Sequence, residues 1–216
     1  MKSINLRLYS FDELEKPAKE KALVEYSDLN HGFDWWNDQY DDFVTLCSYL
    51  GITVEKGSIR FSGFYSQGDG STFSASIDIP KLLTAIQTEA WKTYAPMQEF
   101  TFTLPAADRR VIALVANGAL QEAPGISSRM RGYNVGVDLG LSVVLEGSTP
   151  HENVFDELEK LQDWLGLVAV KLNAHLYASL EKQYEFLTSD TAIEESIVAN
   201  EYLLPPMAGR PITCCN

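Results

Sequence analysis

Residues 66–72, Ser-Gln-Gly-Asp-Gly-Ser-Thr, place one carboxylate, one carboxamide and three hydroxyls within seven positions. Chemistry of that composition is recognition. Ser66, Gln67, Asp69 and Ser71 can each bond a small polar molecule or a nucleotide, and glycines at 68 and 70 let backbone N–H groups converge on an anion. The stretch lacks the Lys-Ser/Thr of a P-loop, the third glycine of a dinucleotide fingerprint, and the alternating acids and closing Glu of a calcium loop. The simpler alternative is a hairpin turn in which Gly68 or Gly70 takes a positive φ and Asp69 bonds its own backbone.

A second constellation is acidic. Asp34, Asp38, Asp41 and Asp42 fall opposite an apolar stripe of Trp36, Tyr40, Phe43, Cys47 and Leu50, which steps by four and three as a helix face does. Like charges one turn apart repel by about 0.2–0.5 kcal/mol per pair. The row can hold a cation, meet a basic partner or imitate a phosphate backbone; the alternative is a solvated face. A dinuclear metal site would want a histidine in a Glu-x-x-His pattern, and this segment has none. No metal or other cofactor is expected.

Histidine is scarce, at His31, His151 and His175, and none lies beside a nucleophile signature. Cys47 belongs to the apolar stripe, and Cys214 and Cys215 are adjacent near the end, so neither a disulfide framework nor zinc-ligand spacing exists. Hydrolytic and redox chemistry therefore gain no support, and a reduced cytoplasm is the expected compartment.

Charge narrows the partner. Thirty Asp and Glu against 17 Lys and Arg give a net charge of -13. That field repels nucleic acid and anionic membrane, so no direct nucleic-acid binding is expected, and a protein with a basic surface is favoured. No apolar run approaches the roughly 18 residues of a spanning helix, and the opening MKSINLRLYS is too short and polar for a leader. Neither a membrane span nor a signal peptide is expected.

The elements that must position these groups are readable in outline. The 216 residues suit a single domain, 1–216, of the α+β class. Strands are expected at 2–9, 52–65, 71–79 and 126–147, forming a small antiparallel β-sheet, with a further strand at EFTFTL (99–104). Several helices pack it, at 11–29, 33–50 and 153–188, with others from Pro80 to Tyr94 and through AADRRVIALVANGAL. The long C-terminal helix carries a seam of Val154, Leu158, Leu161, Leu165, Val168, Leu172, Leu176 and Leu180. It is longer than a domain of this size needs, so a break near Gly166 or a protruding end is expected. Ser189 then caps a last short helix.

Three blocks, YSFDELEKPAKEKAL…WWNDQYDD, IRFSGFYSQGDGSTF and YEFLTSDTAIEESIVANEYLL, resemble an uncharacterised family of phage and prophage proteins built around F-S-G-F-x-S-Q-G-D-G, some of them labelled antitoxin-like. The resemblance implies that the loop must do more than bend. Gln67 and Asp69 either bond Asn200 and Glu201 of the final Asn-Glu-Tyr block, or face a ligand. It also implies residence in a host cytoplasm. The expected function is a non-enzymatic, acidic, phage-type protein that binds and modulates or inhibits a host protein, such as a nucleic-acid-handling or defence enzyme. Its Asp34, Asp38, Asp41 and Asp42 would stand where DNA phosphates sit. The alternatives are a small-molecule or nucleotide site at Ser66, Gln67, Asp69 and Ser71, and an antitoxin that neutralises a toxin.

Overall fold

A computed structural model describes residues 7–55, 57–94, 101–116, 125–129, 136–137 and 152–206. In chain order they form α1 (Lys16–Glu25), α2 (Asn37–Tyr49), β1 (Ile52–Val54), β2 (Arg60–Phe61), β3 (Ser71–Thr72), β4 (Ser74–Ile77), α3 (Ile79–Thr88), α4 (Arg109–Ala116), β5 (Gly125–Arg129), β6 (Gly136–Val137), α5 (Glu152–Leu187) and α6 (Asp190–Ala199). The fold is α+β, with a small antiparallel sheet and one long helix near the C-terminus. Two compact units divide it: Met1–Asn37 with Leu180–Asn216, and Asp38–Ser179.

In the first unit, the Glu13 carboxylate accepts from both the backbone N–H (2.9 Å) and the hydroxyl (3.0 Å) of Ser10, fixing a single 3₁₀ turn at Phe11–Glu13. Pro17 then opens α1, where its missing N–H costs nothing. Phe11, Leu14, Ala18, Ala22 and Tyr26 are buried with Ile193, Ile197 and Leu204 in one cluster. Each large side chain so buried contributes about 1.5–3 kcal/mol. Ser189 caps α6 by accepting from the Ala192 N–H, as expected. The strand expected at 2–9 reduces, among the described residues, to one antiparallel bridge between Tyr9 and Leu204. The residues after Leu204 are Pro205 and Pro206, which have no N–H with which to extend a ladder. Residues 1–6 lie outside the described set.

In the second unit the sheet order is β1-β4-β5-β6, antiparallel throughout, with Ile52 opposite Ile77 and Ala75 opposite Ile126. β2 and β3 form a separate two-stranded ribbon. The expected strands 52–65 and 71–79 are thus each broken. Gly57 takes a positive φ of 74°, and the Ser58 hydroxyl accepts from the Ser74 N–H and donates to the Ser74 carbonyl, substituting for a ladder. Of the segment expected at 126–147, β5 and β6 are seen and the rest lies outside the described residues. Residues 101–106 are not a strand. The carbonyls of Thr101 and Thr103 accept from Lys171 Nζ and the Trp164 indole on α5 instead (2.6 Å each).

Gly51, with φ of 71°, ends α2, and its carbonyl accepts from the Asp78 N–H at 2.9 Å. Asp78 in turn caps α3 by accepting from the Lys81 N–H. The helix expected from Pro80 to Tyr94 ends at Thr88, where Glu89 turns left-handed (φ 53°) into a 3₁₀ turn. Of the two alternatives expected for the long helix, the break near Gly166 is absent: α5 runs unbroken through it for 36 residues. Leu158, Leu161, Leu165, Val168, Leu172 and Leu176 of its seam are buried, as is Leu180 beyond them.

Candidate functional site

The SQGDG loop is the turn between β2 and β3. Gly63 (φ 125°) and Gly68 (φ 99°) supply conformations that L side chains rarely adopt. The Asp69 carboxylate accepts from the Ser66 N–H at 2.6 Å and lies 3.4 Å from the Ser62 hydroxyl, while the Asp69 N–H donates to the Ser66 carbonyl. A Cβ on Gly63 would stand 3.2 Å from Asp69 Oδ2, so the glycine makes room for this carboxylate. The Asp69 acceptor is therefore turned inward on its own loop. The Asn200 amide is likewise locally engaged, donating to the Ser196 carbonyl.

Two bonds anchor the loop to α5. The buried Ser71 hydroxyl stands 3.1 Å from the main-chain oxygen and 3.0 Å from the side-chain oxygen of Asn173, itself buried, and the Tyr177 hydroxyl donates to the Gly63 carbonyl at 2.9 Å. Phe64 packs between Phe61 (5.6 Å) and Tyr177 (5.5 Å). Of the four loop residues singled out in the sequence, Ser66 and Gln67 are exposed, Asp69 is half-buried and Ser71 is buried.

The acidic row is rearranged. α2 starts at Asn37, so Asp34 and Trp36 precede the helix, in a tight turn closed by the Trp35 N–H on the Phe33 carbonyl (2.8 Å). Of the adjacent pair, Trp35 is buried and Trp36 half-buried. Asp38, Asp41 and Asp42 remain on α2, and Asp38 in the first turn suits the helix dipole. All four acids are exposed. Among the described residues none of them forms an ion pair, whereas Glu20, Asp78, Glu89, Asp108 and Glu157 each face a nearby Lys or Arg. Asp42 differs from the others because its Oδ1 accepts from the Tyr94 hydroxyl at 2.9 Å.

Asp42 and Tyr94 both line a cavity of about 310 Å³. α2 contributes Gln39, Asp42, Phe43 and Leu46, which share one helical face; α5 contributes His175 and Ser179, one turn apart. Tyr94 closes a third side and stacks on Tyr49, ring centroids 5.4 Å apart. Burial raises the Tyr94 phenol, assisted by its bond to Asp42, and burial lowers the His175 imidazole, favouring its neutral form. Burial alone pushes the Cys47 thiol up, so it is no nucleophile. Among the described residues, no group of three or more His, Cys, Asp or Glu is arranged to hold a metal ion, and no helix is long and apolar enough to cross a membrane.

A model of a protein family described as a domain of unknown function, DUF8835, matches residues 35–190. The chain belongs to this family. The DUF8835 match takes in the SQGDG loop, Asp38, Asp41, Asp42 and the described residues that line the cavity, and leaves Asp34 and all of α6 but Asp190 outside. No curated protein and no solved structure matches the chain.

Gln39, Tyr94 and Ser179 escaped sequence reasoning, and His175 stood out only as one of three histidines, because no local spacing links α2, Tyr94 and α5. Asn173 carried a signal that was available: an amide beside Leu172 in a seam otherwise apolar.

Proposed function

We propose that this DUF8835 protein is a non-enzymatic, acidic binding protein of phage type that engages a basic surface on a host protein. The contact groups are Asp38 and Asp41 on α2 and Asp34 just ahead of it in sequence. The observation that carries this reading is that these three exposed carboxylates, close together in sequence, form no ion pair among the described residues, while Glu20, Asp78, Glu89, Asp108 and Glu157 do. Leaving like charges unpaired on one short segment costs stability, and a cationic partner would recover it. The partner class favoured is a nucleic-acid-handling or defence enzyme in the host cytoplasm, whose phosphate-binding surface is basic already.

The test is capture from host lysate, identified by mass spectrometry. One enzyme should be retained at low salt and released at high salt, because exposed charges are screened within a Debye length of about 10 Å at 0.1 M. The triple change Asp34/Asp38/Asp41→Asn should abolish capture. If the triple variant still binds the same enzyme, the reading fails. Retention of a small toxin instead would make the same carboxylates an antitoxin surface.

A further inference from the structure

We propose that the cavity between α2, Tyr94 and α5 is a binding site for a small organic amine, its cationic head on Asp42 and its apolar body over Phe43 and Leu46. This goes beyond the partner reading and does not rest on it. The first support is shape and chemistry together. At about 310 Å³ the cavity falls at the lower end of small-molecule sites. Phe43 and Leu46 supply its apolar lining, and Gln39, Asp42, Tyr94, His175 and Ser179 its polar groups. An apolar base with a few converging polar groups is how such sites fix both affinity and orientation.

Charge selects the occupant. Among the described lining residues Asp42 is the only carboxylate, and no Lys or Arg is among them. Burial keeps His175 toward its neutral form, so the imidazole does not cancel the carboxylate at neutral pH. The Tyr94 hydroxyl engages Oδ1 of Asp42 and holds the carboxylate in place, leaving Oδ2 for a charge-assisted hydrogen bond from an ammonium or amidinium. An anion or a phosphate would meet Asp42 with no counter-charge beside it among the described lining residues. Gln39 and Ser179 can each donate or accept, and so tolerate a hydroxyl or a second amine on the body.

The probe is phenethylamine, with 3-phenylpropanoate as the anionic compound of similar body. Titration of the full chain by calorimetry and by amide NMR should give saturable binding of phenethylamine. Shift changes should centre on Asp42, Phe43, Tyr94 and His175, with no saturation by 3-phenylpropanoate. Asp42→Asn keeps the shape and removes the charge; it should weaken the amine at least about tenfold. Ser179→Leu fills the cavity without touching the carboxylate and should abolish binding, with far-UV circular dichroism confirming that it folds. Absence of saturation up to about 10 mM phenethylamine, equal binding of the two probes, or unchanged affinity in Asp42→Asn would overturn the proposal. The Asp34/Asp38/Asp41→Asn variant should bind the amine as the wild type does, which separates this site from the partner surface.

Discussion

A Cβ placed on Gly51 would lie 2.6 Å from the Cβ of Lys81, and 3.3 Å from both the Asp78 carbonyl oxygen and the Leu82 nitrogen. The end of α2 and the start of α3 approach so closely that only a glycine fits, and its φ of 71° adds a second demand for one. Gly51→Ala should destabilise the chain by about 2 kcal/mol or more. Urea unfolding with an unchanged slope is the measurement; a loss below about 0.5 kcal/mol would show that the two helix ends can part freely.

Gly166 predicts the opposite sign. It sits inside α5, and nothing lies within 4 Å of a Cβ added there. Gly166→Ala should stabilise by about 0.5–1 kcal/mol, by removing a residue that loses much backbone freedom on entering a helix. A lowered unfolding midpoint would refute the account of α5 as one uninterrupted helix.

Ser71→Ala leaves the buried Asn173 side chain without its hydroxyl neighbour and should cost about 1–3 kcal/mol. Asp69→Ala, whose lost bonds can be replaced by water at the loop surface, should cost less, about 0.5–1.5 kcal/mol. Denaturant midpoints for the two variants decide the order. A larger loss at Asp69 would mean that the turn, rather than its anchor on α5, governs stability.

Acid should weaken the fold through His175. Burial holds its folded-state imidazole neutral to lower pH than the unfolded chain's ordinary value. As pH falls below about 6.5, the unfolded state takes up the proton first, so stability is full above that value and declines on acidification. Asp42 and Tyr94 line the same cavity, and neither supplies a positive charge near neutrality. Wild type should lose more stability between pH 7.5 and 5.5 than His175→Gln does; equal losses would remove His175 as the cause.

Cys47 should resist thiol reagents in the native state. It is fully buried, and its burial disfavours the thiolate. In a Cys214/Cys215→Ser background, labelling by a disulfide reagent should proceed only at the rate of opening and accelerate in urea. Fast labelling of the folded chain would contradict the packing of α2.

What the sequence made legible follows from where the physical signal is local. The α5 seam was readable because leucines three and four apart need only a helix to align them, and Ser189 because a cap acts over three residues. The α+β class followed from the same patterns. The strands were read too long, since alternation of Ile59 and Phe61 says nothing of Ser58 taking over the backbone partners of Ser74. Asp34 falls ahead of a helix that begins three residues later, because its spacing from Asp38, Asp41 and Asp42 fits a helix face as well as its residue type fits a turn. The Ser71–Asn173 bond joins positions 102 residues apart, and the cavity draws on three distant segments, so neither leaves a spacing to find.

The leucine seam of α5, taken alone, is nearly indifferent to sliding. Shifting the helix by one turn, about 6 Å over four residues, brings Leu161 to the place of Leu165, Val168 to that of Leu172 and Leu172 to that of Leu176, one aliphatic group succeeding another. Hydrophobic burial would then distinguish poorly between neighbouring alignments of the same helix. Asn173 does not survive that translation, because the slip carries it to the place of Tyr177 and sets Ala169, which has no polar side chain, opposite the buried Ser71 hydroxyl. One polar pair thus converts a sticky rod into an indexed one. The alignment it selects is the one that also brings His175 and Ser179 level with Asp42 and Tyr94.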